Sequence, residues 1–228
     1  MKKLLTIALL AGFFMAQPAF AGFIYWVDWT SAVSGPNGSA TGTISLGGGT
    51  NITVNYNGDV TFAQTGSGTN YWTQGTPAPY TGNAIVSNAP TASEMIALSR
   101  DGSTNTITFS QAVANPIMAI VSMGQPSRQV SYDFNIPFNV LSEGRGYWGD
   151  GSYTISPGDI LNGKELHGVI QFNGIFSSLS WTASPYEYWH GITIGLPEQA
   201  PIPEPSTFFM LGAGLLGLLG YAYKRKKN

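Results

Sequence analysis

Apolar and polar positions alternate along most of the chain. Ile52, Val54 and Tyr56 interleave with Thr53 and Asn55, and beyond Asn57-Gly58 the alternation resumes with Val60 and Phe62 beside Thr61 and Ala63. A period of two places successive side chains on opposite faces of a strand. Two such runs joined by Asn-Gly predict a β-hairpin over residues 51–64, with a type I′ turn because both central residues accept positive φ. Val130, Tyr132, Phe134 and Ile136 alternate with Ser131, Asp133 and Asn135, and Ile107 and Phe109 with Thr106 and Thr108. Each run predicts a half-buried strand. Residues 117–121 are apolar on both faces, as in a central strand of a two-layer sandwich. Residues 166–172, 177–181 and 189–196 supply three more strands.

Thr91 to Glu94 has the spacing of a helix capping box. Only a turn or two of helix would fit before Asp101-Gly102, so a strand entering a turn is the preferred reading. Residues 31–43 and 64–83 are dense in Gly, Ser, Thr, Asn and Pro and read as loops. The second is long and carries Tyr71, Trp72 and Tyr80, as binding loops do. No fixed-period repeat is present. Short, regularly spaced strands without a helical period predict an all-β fold, an antiparallel β-sandwich of jelly-roll-like kind.

Two terminal stretches depart from this pattern. Lys2 and Lys3 precede a short apolar run, and Ala19-Phe20-Ala21 supplies a small-x-small cleavage site. Residues 1–21 therefore read as a signal peptide, cleaved between Ala21 and Gly22. At the other end Pro203-Glu204-Pro205 precedes an uncharged apolar run over residues 208–223, followed by Lys224, Arg225, Lys226 and Lys227. A membrane-spanning helix needs about 17 to 25 residues, so this run lies at the short end. The four cations are costly to move through hydrocarbon and should stay cytoplasmic as a stop, which would leave everything before the run outside the cytoplasm.

The order of these three parts resembles the PEP-CTERM sorting signal. The resemblance implies an exported protein of Gram-negative bacteria that make exopolysaccharide, processed by an exosortase near Pro203, Glu204 and Pro205. The chain then divides into a signal peptide (1–21), a β-sandwich extracellular domain (22–198) and a sorting signal with its transmembrane helix and basic tail (199–228).

This division changes the charge picture. The whole chain has ten Lys and Arg against twelve Asp and Glu, but six of the cations and only one acid, Glu204, lie in the terminal stretches. Residues 22–198 keep four cations against eleven acids, a net −7. That balance argues against nucleic acid and anionic membrane surfaces as partners. The absence of cysteine excludes disulfides, thiolate metal sites and a cysteine nucleophile.

Catalytic motifs are scarce. No Gly-x-Ser-x-Gly elbow, P-loop or His-Glu-x-x-His pair occurs, and nothing implies a cofactor or metal. His167 and His190 are the two histidines. His167 follows Glu165 by two, which on a strand would put both on one face, a spacing that serves structure more often than catalysis. Glycoside cleavage requires two carboxyls about 5 to 9 Å apart, and Glu143, Asp150, Glu165 and Glu187 are the candidates. Asp101 to Asn105 has calcium-type residues without the full loop spacing and reads as an Asp-Gly turn.

Aromatics carry the remaining signal. Tyr147 and Trp148 sit among glycines beside Asp150, and Tyr186, Tyr188 and Trp189 flank Glu187. Aromatic rings stack on the apolar faces of sugars while acids take the hydroxyls, although a sandwich without disulfides also needs large rings for its core. Trp148, Tyr186 and Trp189 are the candidate carbohydrate-binding residues. The resulting expectation is a non-enzymatic structural or interaction protein of the cell surface or the exopolysaccharide (biofilm) matrix. Its partners would be the exosortase, the inner membrane before processing, and extracellular polysaccharide. A carbohydrate-binding module is the alternative, with a glycan-active enzyme behind it.

Overall fold

A computed structural model describes residues 21–198. The helix expected within residues 208–223, the sorting residues Pro203, Glu204 and Pro205, the basic block, Ala19 and the rest of the signal peptide up to residue 20 lie outside the described residues.

Fifteen strands follow in order: β1 (Ile24–Trp26), β2 (Asp28–Val33), β3 (Gly35–Ser45), β4 (Asn51–Val60), β5 (Phe62–Thr65), β6 (Glu94–Leu98), β7 (Ser103–Ala114), β8 (Ile117–Met123), β9 (Val130–Phe134), β10 (Asn139–Glu143), β11 (Ser152–Ser156), β12 (Ile160–Lys164), β13 (Leu166–Gln171), β14 (Ile175–Ser184) and β15 (His190–Pro197). They form two antiparallel sheets. One has the order β10-β13-β8-β15-β6-β5, with β1 pairing the last residues of β15. The other has the order β11-β12-β9-β14-β7-β4-β3-β2. Among the described residues there is no α-helix, and the fold is a β-sandwich.

From β7 onward the chain changes sheet at every connection except the β11–β12 hairpin. Inward residues of both sheets make the main core, where Trp29, Tyr56, Tyr132, Phe134, Phe172 and Trp181 are buried among Ile and Leu side chains. Phe134 packs edge-on against Phe172 at 5.1 Å, a favoured aromatic geometry.

The strands expected at residues 107–109, 117–121, 130–136, 166–172, 177–181 and 189–196 are all present, and residues 94–98 form a strand rather than a helix. Glu94 does not cap a helix. Its carboxylate accepts the Trp29 N–H and so ties β6 to β2 of the opposite sheet.

The hairpin expected over residues 51–64 does not form. β4 runs through Asn57 and Gly58 without turning, and β5 belongs to the other sheet. Gly58 serves close approach: a Cβ there would lie 2.4 Å from Asn105 Oδ1 and 2.9 Å from the Tyr56 hydroxyl oxygen. The crossing to the second sheet is fixed by buried Asp59, which accepts the N–H groups of Ser99 (2.7 Å) and Arg100 (2.8 Å) and pairs with the Arg100 guanidinium. The hairpin that does form joins β3 to β4 across Gly47–Gly49.

Residues 31–43 are also not a loop, since they lie largely in β2 and β3. Gly38, Ala40, Gly42 and Ile44 face inward along β3. Three of these four are too small to register as an apolar alternation, and a Cβ on Gly42 would meet the Asp28 carbonyl oxygen at 2.5 Å.

The long connection between β5 and β6 does occur, and it is packed. Trp72, Tyr80 and Val86 from it join Ile24, Trp26, Met95, Ile117, Ala119 and Val121 in a second core on the outer face of the seven-stranded sheet. This is why β8 is buried on both sides. The sandwich core covers Met118 and Ile120, and the connection covers the alternate residues. Its backbone is satisfied by its own polar side chains: Gln74 Oε1 accepts the Tyr80 and Thr81 N–H groups, and Asn83 Oδ1 those of Ile85 and Val86.

Candidate functional site

The connections that follow β8, β10, β12 and β14 meet at one end of the seven-stranded sheet. They enclose a cleft of about 190 Å³ lined by Ser122, Gly124, Gln125, Trp148, Glu165, Glu187, Tyr188 and Trp189.

A β-bulge shapes one wall. The β13–β8 pairing shifts register between Leu166↔Met123 and Gly168↔Ile120, so His167 alone faces Val121 and Ser122. A bulge of this kind re-aims a side chain. Ser122 takes φ 57° and Glu165 φ 53°, left-handed conformations that cost about 1–3 kcal/mol each in residues other than glycine. The two side chains meet, with the Ser122 hydroxyl donating to Glu165 Oε1.

His167 lies behind this pair, fully buried. The Ser122 N–H donates to its Nδ1 at 3.3 Å, so the ring proton of the neutral form resides on Nε2. Burial pulls His167 down to about 4, and the ring is neutral at physiological pH. Nε2 stands 3.9 Å from Glu165 Oε1, too far for a hydrogen bond. Gly146 rests on the imidazole, where a Cβ would lie 2.3 Å from Cγ. That contact lets the β10–β11 connection lie close enough to the sheet to bring Trp148 to the cleft.

The opposite wall is Glu187. It is only 2% exposed. Its Oε1 accepts the Gly124 N–H at 3.0 Å and is hydrogen-bonded to His190 Nδ1, and among the described residues no hydrogen bond reaches Oε2. The Glu187 N–H donates to the Ser99 carbonyl, which anchors the β14–β15 connection. Burial raises the Glu165 carboxyl above its ordinary value; the Ser122 bond opposes this, and the Glu187 charge adds to it.

Rings form the remainder. Trp148 stacks on Tyr71 with centroids 5.3 Å apart and 15° between planes, and it meets Trp189 edge-on at 4.9 Å. Tyr147 packs edge-on against Trp148 at 4.6 Å, and Trp189 rests on Phe62. Trp148 is still 45% exposed, and Tyr188 is 79% exposed.

The structure thus brings Trp148 and Trp189 together and leaves Tyr186 apart. The Tyr186 ring is exposed away from the lining, and its carbonyl accepts an N–H of Arg128. Of the four candidate acids, Glu165 and Glu187 share the cleft, whereas Glu143 and Asp150 do not line it. Glu165 and His167 do not share a strand face, because Glu165 precedes β13 in the left-handed conformation. Asp101 accepts the Ser184 hydroxyl in the expected turn. Among the described residues, no group of three or more His, Asp or Glu is placed to hold a metal ion.

Ser122, Gln125 and Tyr188 are site residues that the sequence does not single out. Ser122 does carry a signal, as the one hydroxyl in the apolar run of β8. Tyr188 lies inside an aromatic cluster whose inward and outward members only the turn decides.

Residues 201–226 match the PEP-CTERM protein-sorting motif. The motif implies handling by an exosortase and export toward the cell surface. No curated protein and no solved structure matches the chain.

Proposed function

We propose that this is an exosortase-processed surface protein whose β-sandwich binds sugar residues of the extracellular polysaccharide and acts there as a non-enzymatic matrix component. The observation that carries the reading is the convergence of Trp148, Tyr188 and Trp189 with two carboxylates on one small cleft. Rings supply faces for stacking and the acids supply acceptors for hydroxyls, the arrangement expected of a site that orients a polar ring by a few convergent groups. Ligand pockets for drug-sized molecules run to about 300–1,000 Å³. A cleft of about 190 Å³ therefore suits a single ring of a longer chain. The sorting motif supports a location where such a chain is met.

The test is retention of the full-length chain, purified in detergent, on immobilised polysaccharide secreted by the producing cells. Trp148→Ala and Tyr188→Ala should each weaken retention about ten-fold, the effect of losing one stacked ring. Unchanged retention in both variants would reject the cleft as the binding site.

A second reading, glycoside cleavage, draws on the shared cleft of Glu165 and Glu187 and the raised Glu165 carboxyl. Release of reducing ends from the same polysaccharide, abolished by Glu165→Gln, would establish it. Binding without release leaves the matrix reading standing.

A further inference from the structure

The cleft is short of positive charge. Glu165 and Glu187 both line it, and among the described residues the one Arg or Lys paired with a carboxylate is Arg100, with Asp59. Two acids facing one small volume repel each other and lose hydration. The Ser122 hydroxyl, the Gly124 N–H and His190 Nδ1 offset part of that cost, and among the described residues no Arg or Lys pairs with either acid. Two of the donors in the lining are already committed: the Ser122 hydroxyl to Glu165 and the Gly124 N–H to Glu187. Glu187 Oε2, on a side chain more than nine-tenths buried, keeps its acceptor capacity unused. Around these acids stand the rings of Trp148, Tyr188 and Trp189, whose faces attract cations.

We infer that the cleft is selective for a protonated amino sugar, with Glu165 and Glu187 receiving its ammonium group and Trp148, Tyr188 and Trp189 packing against its ring. This rests on the carbohydrate-binding reading above and narrows it to a cationic, de-N-acetylated unit. An ammonium brings three donors to a site rich in acceptors. Its bonds to carboxylates are charge-assisted, stronger than those of a hydroxyl. A uronic acid would set a third carboxylate against two and against the net −7 of residues 22–198. An N-acetylated sugar keeps the ring but loses the charge and adds bulk to a volume sized for one ring.

The experiment titrates the full-length chain in detergent with four probes by calorimetry, at a pH where the sugar amine is protonated. The probes are a β-1,4-linked glucosamine trimer, the corresponding N-acetylglucosamine trimer, a galacturonate trimer and free cadaverine. The glucosamine trimer should bind about ten-fold or more tighter than the acetylated one, the difference expected of one hydrogen bond to a charged group. The galacturonate trimer should not bind. Glu165→Gln keeps an acceptor for Ser122 and should bring the affinities for the charged and acetylated trimers to within about two-fold of each other. Equal affinity of the wild-type chain for the charged and acetylated trimers would overturn the inference and leave the carbohydrate reading intact. Cadaverine binding as tightly as the glucosamine trimer would overturn it too, since the ring would then contribute nothing. Failure of every sugar probe to bind would overturn both.

Discussion

Glu94 joins the two sheets through a single hydrogen bond to the Trp29 N–H, and it does so while buried. Burial pushes its carboxyl up to about 7 from an ordinary 4.5; the Trp29 bond opposes this, and the nearby Asp28 charge adds to it. A carboxyl whose folded value is raised stabilises the fold fully below about 4.5 and loses that contribution as pH climbs to about 7. The loss is of the order of 3 kcal/mol, since each tenfold change in proton affinity corresponds to about 1.4 kcal/mol. Glu94→Gln retains an acceptor for Trp29 and cannot ionise. Its melting temperature relative to the wild-type protein should rise steadily between about pH 4.5 and 7, followed by calorimetry, and parallel curves would refute the assignment. His167 acts with the opposite sign. Held neutral at about 4, it costs stability only as pH falls from its unfolded value of about 6.5 toward 4. Neither residue is conspicuous in the sequence. Glu94 has the spacing of a cap and His167 that of half a pair, because burial, which sets both titrations, is not a property of neighbours along the chain.

Among the elements, the connection between β5 and β6 behaves as a third layer on the outer face of the seven-stranded sheet. Trp72 and Tyr80 pack edge-on at 5.3 Å, and the Gly75 N–H donates to the Arg145 carbonyl of the connection that carries Trp148. Trp72→Ala should destabilise the domain by about 3–5 kcal/mol, as truncation of a buried aromatic does. Denaturant unfolding checks the value, and a change below about 1 kcal/mol would show that the connection is not part of the core. The loop is legible from its Gly, Pro and Asn content, whereas its packing is not: its aromatics read as those of a binding loop, and Trp72 and Tyr80 are instead buried in the second core. The hairpin over residues 51–64 fails for a related reason. Asn57-Gly58 has turn chemistry, but Gly58 is required by the approach of Asn105, far along the chain in β7. β3 escapes a sequence reading because an inward face built of Gly and Ala leaves no alternation to see.

For the molecule as a whole, sorting and folding are separable in the sequence. The apolar run of residues 208–223 contains four glycines, and each Leu or Phe contributes only about −0.3 to −0.6 kcal/mol to insertion. A Lys or Arg at the bilayer centre costs about 2.5 to 3.5 kcal/mol, so we propose that the block Lys224, Arg225, Lys226 and Lys227 decides whether the run stops in the membrane. Replacing all four with Gln should reduce the processed surface form several-fold in cell fractionation, while the exported domain stays as protease-resistant as the wild-type one. Normal surface levels in that variant would show the cations to be dispensable.

Sequence alone determined the sorting motif and the β-class, because both are written in local order: Pro-Glu-Pro before an apolar run and cations, and a period of two repeated along the chain. It also supplied the members of the site as types, namely acids and rings beside glycines. Only the tertiary structure decided which of them converge. Glu165 and Glu187 come from connections that leave different strands, Trp148 is carried by a loop resting on His167, and Ser122 points to the cleft because of one extra residue in β8. Each of these placements depends on strand pairing between distant segments, and the choice between Tyr186 and Tyr188 turns on which side of a short connection each ring leaves.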